Sequence, residues 1–460
     1  MQESKRPYKE ILMRILILGA FQSELESITQ KLSPLKETII AKRRCLLSHK
    51  GNIEIAFSLS GLGTTAAACT TTALCEAYEP ELIIMCGVAG GLEKDHKVGD
   101  LVLSNEIIDI DLKASYTLLQ GTPYEPCLTD PHSMQQNTYN YTVHSSILNI
   151  ASTVDIDRLK VGKIVTSNMF PSPKEQFDEI IKLGCSAIEM ESVGVFKAAS
   201  YYGTPVITVR AISNLLNNVG DDLGTEFDAL ALCSDRIAQF LSTLLSNTSN
   251  LELLGNERQQ NRIAELVKKY DLSMHPEGGW YRRTFESVDS VTIADASRYG
   301  GETRAAGTSI IYLLSKDDYS AWHTVNSDET WSFHAGDSLL LREINPKTGI
   351  LKEVLLNKDN LQYTVRAGFV FSAEPIGRYS ILGCMVTPGF DFKDFRLISR
   401  NEFIENYPMH ESLKHLSRDR PVVEITDKLN VSQSTASFFD ATKKNTFFED
   451  ESDVTPTISQ

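Results

Sequence analysis

Ala187-Ile188-Glu189-Met190-Glu191-Ser192 reads as an apolar approach, two carboxylates bracketing a methionine, and the start of a small-residue run suited to a helix. A strand entering a helix there puts both carboxylates at the strand's carboxyl end, where open α/β sheets hold their ligands. Further along, Val206-Ile207-Thr208-Val209 is largely β-branched and runs into Arg210-Ala211-Ile212-Ser213-Asn214, so a second strand also ends in polar residues. The two stretches read as one pocket for a nucleoside. Glycosidic cleavage builds positive charge on the ribosyl ring, and a nearby carboxylate stabilises it.

Outward from this pocket, strand and helix signals alternate. Arg14-Ile15-Leu16-Ile17-Leu18-Gly19 has the pattern of a buried parallel strand, and the helical spacing of Leu25, Ile28 and Leu32 sets Glu24 in the first helical turn after it. Residues 53–60 form a strand, and Gly61-Leu62-Gly63 is a tight turn into a helix over 64–78 rather than a phosphate loop. Residues 81–86 form a third strand, closed by a loop from Gly87 to Gly91 whose glycines, Gly90 among them, let the backbone approach a ligand closely. Further strands fall at 98–103, 160–166, 187–189 and 205–212, and an amphipathic helix over 224–244 closes the unit. This alternation predicts an α/β domain with a mixed, mostly parallel sheet and helices on both faces.

At 460 residues the chain is too long for one hydrophobic core. A net charge of −15 argues against nucleic acid or an anionic membrane surface as the main partner. Eight cysteines without CxxC spacing favour reduced thiols over disulfides or a zinc site, and residues 11–21 are too short for a membrane span. With no secretory signal read at the start, a cytoplasmic location is the expectation.

Ile17-Leu18-Gly19-Ala20-Phe21-Gln22-Ser23-Glu24, Gly61-Leu62-Gly63-Thr64, Cys86-Gly87-Val88-Ala89-Gly90-Gly91-Leu92, Val98-Gly99-Asp100-Leu101-Val102, Ile188-Glu189-Met190-Glu191 and Arg210-Ala211-Ile212-Ser213-Asn214 follow one another in an order that resembles the purine nucleoside phosphorylase superfamily. Within it, the methylthioadenosine/S-adenosylhomocysteine nucleosidases are the branch resembled, over residues 14–246. The resemblance implies that Glu191 binds the ribose 2′-hydroxyl, Met190 lies under the sugar, Phe170 stacks on the base, Glu24 holds the attacking water and Ser213 orients Asn214. Glu189 reads as a binding or structural carboxylate. A homodimer is implied, and no cofactor.

In phosphorylases of this superfamily a serine or threonine stands where this chain has Val88, and an arginine stands near Glu24. The apolar side chain and the carboxylate here favour water over phosphate as nucleophile. Phosphorolysis is the alternative. In the adenosine-cleaving nucleosidases the last motif ends in aspartate, the acid for the purine ring, whereas this chain has Asn214. An amide supplies no proton but donates one hydrogen bond and accepts another. Either the base is a 6-oxopurine, or this half senses a nucleoside without turnover. The segment 215–225 also departs from the family and leaves the 5′ substituent open.

Ser246-Asn247-Thr248-Ser249-Asn250 is a polar break, so residues 247–258 read as a linker and 256–270 as the entry helix of a second domain over 259–408. Short β-like runs at 308–314, 319–325, 329–333, 338–344, 354–356, 362–365, 379–386 and 395–397 suggest an antiparallel barrel or jelly roll. His275-Pro276-Glu277-Gly278-Gly279, Ser320-Ala321-Trp322-His323, Glu329-Thr330-Trp331, Phe333-His334-Ala335-Gly336 and Thr387-Pro388-Gly389-Phe390 resemble small RmlC-like cupins of a family long described only as an uncharacterised domain. His323, Glu329 and His334 mimic part of a cupin metal set, but the later strand carries no histidine, so no metal is expected. The expectation is instead an all-β cupin pocket of Tyr281, His323, Glu329, Trp331 and His334, in which a histidine near a carboxylate abstracts a proton beside a carbonyl. Such a barrel binds or isomerises the sugar-like product of the first domain. Residues 409–460 are polar, end acidic with Ser and Thr, and read as a partly disordered tail. A likeness to secreted bacterial effectors rests on that tail alone.

Overall fold

The computed structural model describes residues 13–32, 35–119, 139–169, 174–216, 227–292 and 296–423. They form two compact units, one built chiefly from the chain up to Leu266 and the other from Val267 onward.

The first unit opens with β1 (Met13–Gly19), α1 (Gln22–Lys31), β2 (Lys36–Ile40), β3 (Arg43–Lys50) and β4 (Ile53–Leu59). It continues through α2 (Gly63–Tyr78), β5 (Leu82–Gly91), β6 (Leu101–Asp109), α3 (Ile110–Leu119), β7 (Asn140–Thr142) and α4 (Ser145–Ser152). Then follow β8 (Leu159–Thr166), α5 (Lys174–Lys182), β9 (Ala187–Glu189), α6 (Ser192–Ser200), β10 (Val206–Leu215), α7 (Phe227–Leu244) and α8 (Thr248–Tyr270). The sheet is mixed, as expected. β1 lies parallel between β4 and β5, and β5 runs parallel to β10. β6, β8 and β9 add parallel pairs, while β10–β6 and β5–β9 are antiparallel and close a ring of strands. Continuous apolar runs such as Ile15–Leu18 and Leu82–Cys86 are fully buried, as strands covered on both faces require.

Two local expectations change. Gly87 to Gly91 is not a loop: it is the carboxyl half of β5, paired to Arg210–Leu215 and to Ile188 and Ala187. Glycine serves there because a Cβ on Gly87 would sit 2.2 Å from a Glu24 oxygen, and one on Gly90 would sit 2.6 Å from Leu216. The residues read as a linker, 247–258, are helical, since α8 begins at Thr248. The polar break is thus its first turn, where Ser, Thr and Asn are good capping residues.

The second unit is a sandwich of two antiparallel sheets. One runs Ser273–Met274, Trp280–Glu286, Thr308–Ser315, Tyr379–Thr387, Asp328–Gly336 and Gln362–Val365 in spatial order. The other runs Leu351–Leu356, Leu339–Ile344, Val370–Pro375, Ser320–Val325 and Phe395–Leu397. Its core gathers Tyr312, Trp331, Leu341, Phe371 and Leu382. Residues expected to begin the tail instead pack on this unit: Leu416 is buried with Trp322 and Phe403, and Trp322 Nε1 donates to Leu413 O at 3.0 Å. The acidic end beyond 423 lies outside the described residues. No helix among the described residues is long and apolar enough to cross a membrane, and the described cysteines are free.

Candidate active site

β10 carries Arg210 inward at full burial, and three carboxylates converge on it. Arg210 Nη2 contacts Glu189 and lies 3.2 Å from Glu191 Oε2, and Nη1 lies 3.9 Å from Glu24 Oε1. Burial works against the guanidinium's charge, but the carboxylates outweigh it and hold Arg210 above its ordinary value. Its Nε and Nη1 have no hydrogen-bond partner among the described residues. The signal available for Arg210 was a lone arginine in an otherwise apolar, β-branched strand.

Glu24 comes from the first turn of α1, as its spacing predicted. Its Oε2 accepts from Ala20 N at 2.6 Å and Phe21 N at 3.3 Å, and its Oε1 accepts from Val88 N at 2.8 Å. Burial pushes its carboxyl above the usual range, against Arg210 and these amides. Val88 therefore enters the site through its backbone.

The two glutamates around Met190 divide their work. Glu189 is saturated: besides Arg210 and Thr166 Oγ1, it accepts from Glu191 N at 3.0 Å and from Ser192 N and Oγ at 2.9 Å. It fixes the strand-to-helix turn. Glu191 retains capacity, with Oε1 accepting only from Gly63 N at 3.0 Å. Gly63, at φ +82, opens α2 in a backbone conformation that favours glycine. The next amide, Thr64 N, donates to Asn168 Oδ1 at 3.1 Å. The first donors of α2 are thus spent on side chains of the chain itself. Gly194 of α6 makes this approach possible, since a Cβ there would lie 2.1 Å from Thr64 O.

Burial pushes Glu191 up to about 7, against Arg210, with the charges of Glu189 and Glu24 adding. Its ordinary value is 4.5. A carboxyl raised on folding stabilises fully below its unfolded value, and that contribution is lost as pH rises through the folded one. Glu191→Gln is therefore expected to gain stability relative to the parent between pH 5 and pH 8, by on the order of 2–3 kcal/mol. Paired melting curves across that range check it, and a pH-independent difference would contradict it.

Ser213 and Asn214 sit at an irregularity of β10, where the register to β5 shifts between Ile212 and Asn214. The bulge turns Asn214 out of the regular alternation. Ser213 Oγ donates to Asn214 Oδ1 at 2.9 Å, so the amide nitrogen remains as a donor. Gly90 pairs with Asn214 through the backbone. Met190 is half-buried between the two glutamates. Phe170 and residues 217–226 lie outside the described residues. The approach to Phe170 is anchored by Asp111, which accepts from Asn168 N at 2.8 Å, Asn168 Nδ2 at 3.1 Å and Gln176 Nε2 at 2.8 Å. Nothing in the sequence had pointed to Asp111.

In the second unit a small cavity of about 30 Å³ is lined by Tyr281, His323 and Glu329 together with His275, Glu277 and Phe392. Two expected members are elsewhere. Trp331 points inward but fills the core, edge-on to Tyr312 and Phe371. His334 is exposed, because a shift in register between Phe333 and Ala335 turns it outward over Gly383. Among the described residues, no group of three or more His, Cys, Asp or Glu side chains is placed to hold a metal. His323 is committed, with Nδ1 to Ala321 O at 2.7 Å and Nε2 to Glu277 Oε2 at 3.2 Å. The donor set does not fit a cupin metal.

Residues 14–246 match the model of the Phosphorylase superfamily, and residues 264–398 match that of the Cupin superfamily. The 5′-methylthioadenosine/S-adenosylhomocysteine nucleosidase of Oceanobacillus iheyensis is 30% identical over 247 residues, covering 52% of this chain and 96% of the relative. The structure of futalosine hydrolase of Helicobacter pylori is 26% identical, covers 51% of this chain and 98% of its own, and has a TM-score of 0.44. A hypothetical protein from Leishmania major is 31% identical, covers 34% of this chain and 98% of its own, and has a TM-score of 0.32.

Proposed function

The chain belongs to the phosphorylase superfamily, and from that premise we propose that its first unit hydrolyses the N-glycosidic bond of a purine nucleoside. The observation that carries this reading is the convergence of Glu24 and Glu191 on Arg210. Glu191 takes the ribose 2′-hydroxyl and steadies the cation that develops on the sugar. Glu24 holds and deprotonates the water that attacks the anomeric carbon. Phosphate is disfavoured because Arg210's charge is already matched by three carboxylates and the leading amides of α2 are occupied.

Asn214 sets the base. With Oδ1 held by Ser213, its NH₂ group faces an acceptor. N7 and O6 of a 6-oxopurine both accept, whereas the exocyclic amine of adenine donates. The favoured substrate is therefore a 6-oxopurine nucleoside. The second unit holds a sugar-like compound of the kind the first releases.

Inosine, adenosine and 5′-methylthioadenosine, supplied without phosphate and followed by mass for free base, test the reading. Hypoxanthine release is expected from inosine, and Asn214→Asp is expected to raise adenine release about 10²-fold by restoring a proton donor. A strict phosphate requirement would establish phosphorolysis. Binding without release, by the parent and by Asn214→Asp alike, would establish a sensor.

A further inference from the structure

We propose that Asp111 is a positioning residue of the first unit's site: through Asn168 and the first turn of α2 it sets Glu191, and with it the preference for a ribose over a 2′-deoxyribose. This rests on the reading of Glu191 as the carboxyl that takes the ribose 2′-hydroxyl. Asp111 opens α3 and Glu191 stands between β9 and α6, and three links join them.

The first link is at Asn168, just past β8. Asp111 Oδ2 accepts from Asn168 N at 2.8 Å and from Asn168 Nδ2 at 3.1 Å, so it fixes both the backbone and the side chain of that residue. On its other oxygen, Asp111 Oδ1 accepts from Gln176 Nε2 of α5 at 2.8 Å and from Ser167 Oγ at 3.2 Å, so the carboxylate is itself held. The second link leaves from the far end of the Asn168 amide, where Oδ1 accepts from Thr64 N at 3.1 Å and from Thr64 Oγ1 at 2.8 Å. A backbone N–H only donates and a carboxylate only accepts, so the Asn168 amide has a single orientation between them. The third link is one residue earlier on α2, where Gly63 N donates to Glu191 Oε1 at 3.0 Å.

Packing makes this chain the support of the turn. A Cβ on Gly63 would lie 3.5 Å from Asn168 Oδ1, in ordinary contact, so the start of α2 seats directly on Asn168. On the side of α6, Thr64 O approaches Gly194 so closely that a Cβ there would lie 2.1 Å away. The first turn of α2 is therefore clamped between α6 and an asparagine that Asp111 grips. Glu191 in turn is aimed by two groups, Gly63 N on one oxygen and Arg210 Nη2 on the other at 3.2 Å. If the turn moves, Glu191 loses the first of these, and a displacement of about 1 Å at such a contact costs on the order of 10²-fold in rate.

Base release from inosine and from 2′-deoxyinosine, measured side by side on the full chain, reads the setting of Glu191. In Asp111→Ala the ratio of kcat/KM for inosine over 2′-deoxyinosine is expected to fall about 10²-fold, because the second substrate has no 2′-hydroxyl to lose. Asn168→Ala is expected to do the same, and the double variant to be no worse than either, since both break one chain. Asp111→Asn keeps an acceptor for Asn168, and Gln176 can turn its amide to meet the new NH₂ group, so most of the parental ratio should return. A residue that served only the stability of the fold would lower the melting temperature and leave the ratio alone, and an unchanged ratio in Asp111→Ala overturns the proposal. A second arm needs no substrate: the melting shift caused by Glu191→Gln is expected to differ between the parent and Asp111→Ala, and additive shifts likewise overturn it. If the parent binds nucleosides without releasing base, the nucleosidase reading fails, while the same ratio taken from dissociation constants and the melting cycle still decide this one.

Discussion

Glu24→Gln is expected to slow base release about 10³-fold, with binding of the nucleoside little changed. The carboxylate is held from two sides, with Ala20 N and Phe21 N on one oxygen and Val88 N on the other. An amide keeps one acceptor oxygen and cannot receive a proton. Its NH₂ group must also face a backbone N–H that now lacks an acceptor, which costs about 1–3 kcal/mol of stability. The two losses separate in the assay. Stability is read from melting, and catalysis from single-turnover base release at a temperature where the variant is folded. Glu24→Asp keeps the charge but withdraws it by one methylene, so it should fall between the two. A Glu24→Gln protein that releases base at the parental rate would remove Glu24 from the chemistry and leave the water without a base.

Much of this site was legible because strand and helix periodicities place residues without reference to distant parts of the chain. Helical spacing put Glu24 in the first turn of α1, and the β-branched approach put Asn214 at the end of β10. Glu191 and Glu189 could not be told apart by type. Their difference comes from neighbours distant in sequence, Thr166 for one and Gly63 for the other. Arg210 and Asp111 escaped notice for the same reason, since each acts through partners brought together only by the closed ring of strands. Gly87 to Gly91 misled in the opposite direction, because glycines that relieve crowding in a buried strand look like glycines that make a loop. In the second unit alternation placed Glu329 and Trp331 inward together, but not which faces the cavity and which the packed core. The bulge beside His334 defeated that alternation altogether.

Arg210→Met is expected to destabilise the first unit by roughly 3–5 kcal/mol at pH 8, the scale for removing one partner from a buried ionic group. For a domain of this size that is a fall in melting temperature of roughly 10 °C. A methionine fills much of the volume, so the loss is not a cavity effect. It comes from three buried carboxylates left to repel one another without a cation. Arg210 is what opposes the burial-driven rise of Glu24 and Glu191, so its removal drives both further toward the protonated form. The sign with pH follows: the deficit is largest above pH 7, where Glu191 would be charged, and shrinks toward pH 5, where it carries a proton. Arg210→Lys keeps a point charge but cannot span Glu24, Glu189 and Glu191 with a planar fork, and should recover only part of the loss. Melting curves of the three proteins at pH 5 and pH 8 decide it. If Arg210→Met melts with the parent at pH 8, the carboxylates do not depend on that guanidinium, and water activation cannot be assigned to a site it organises.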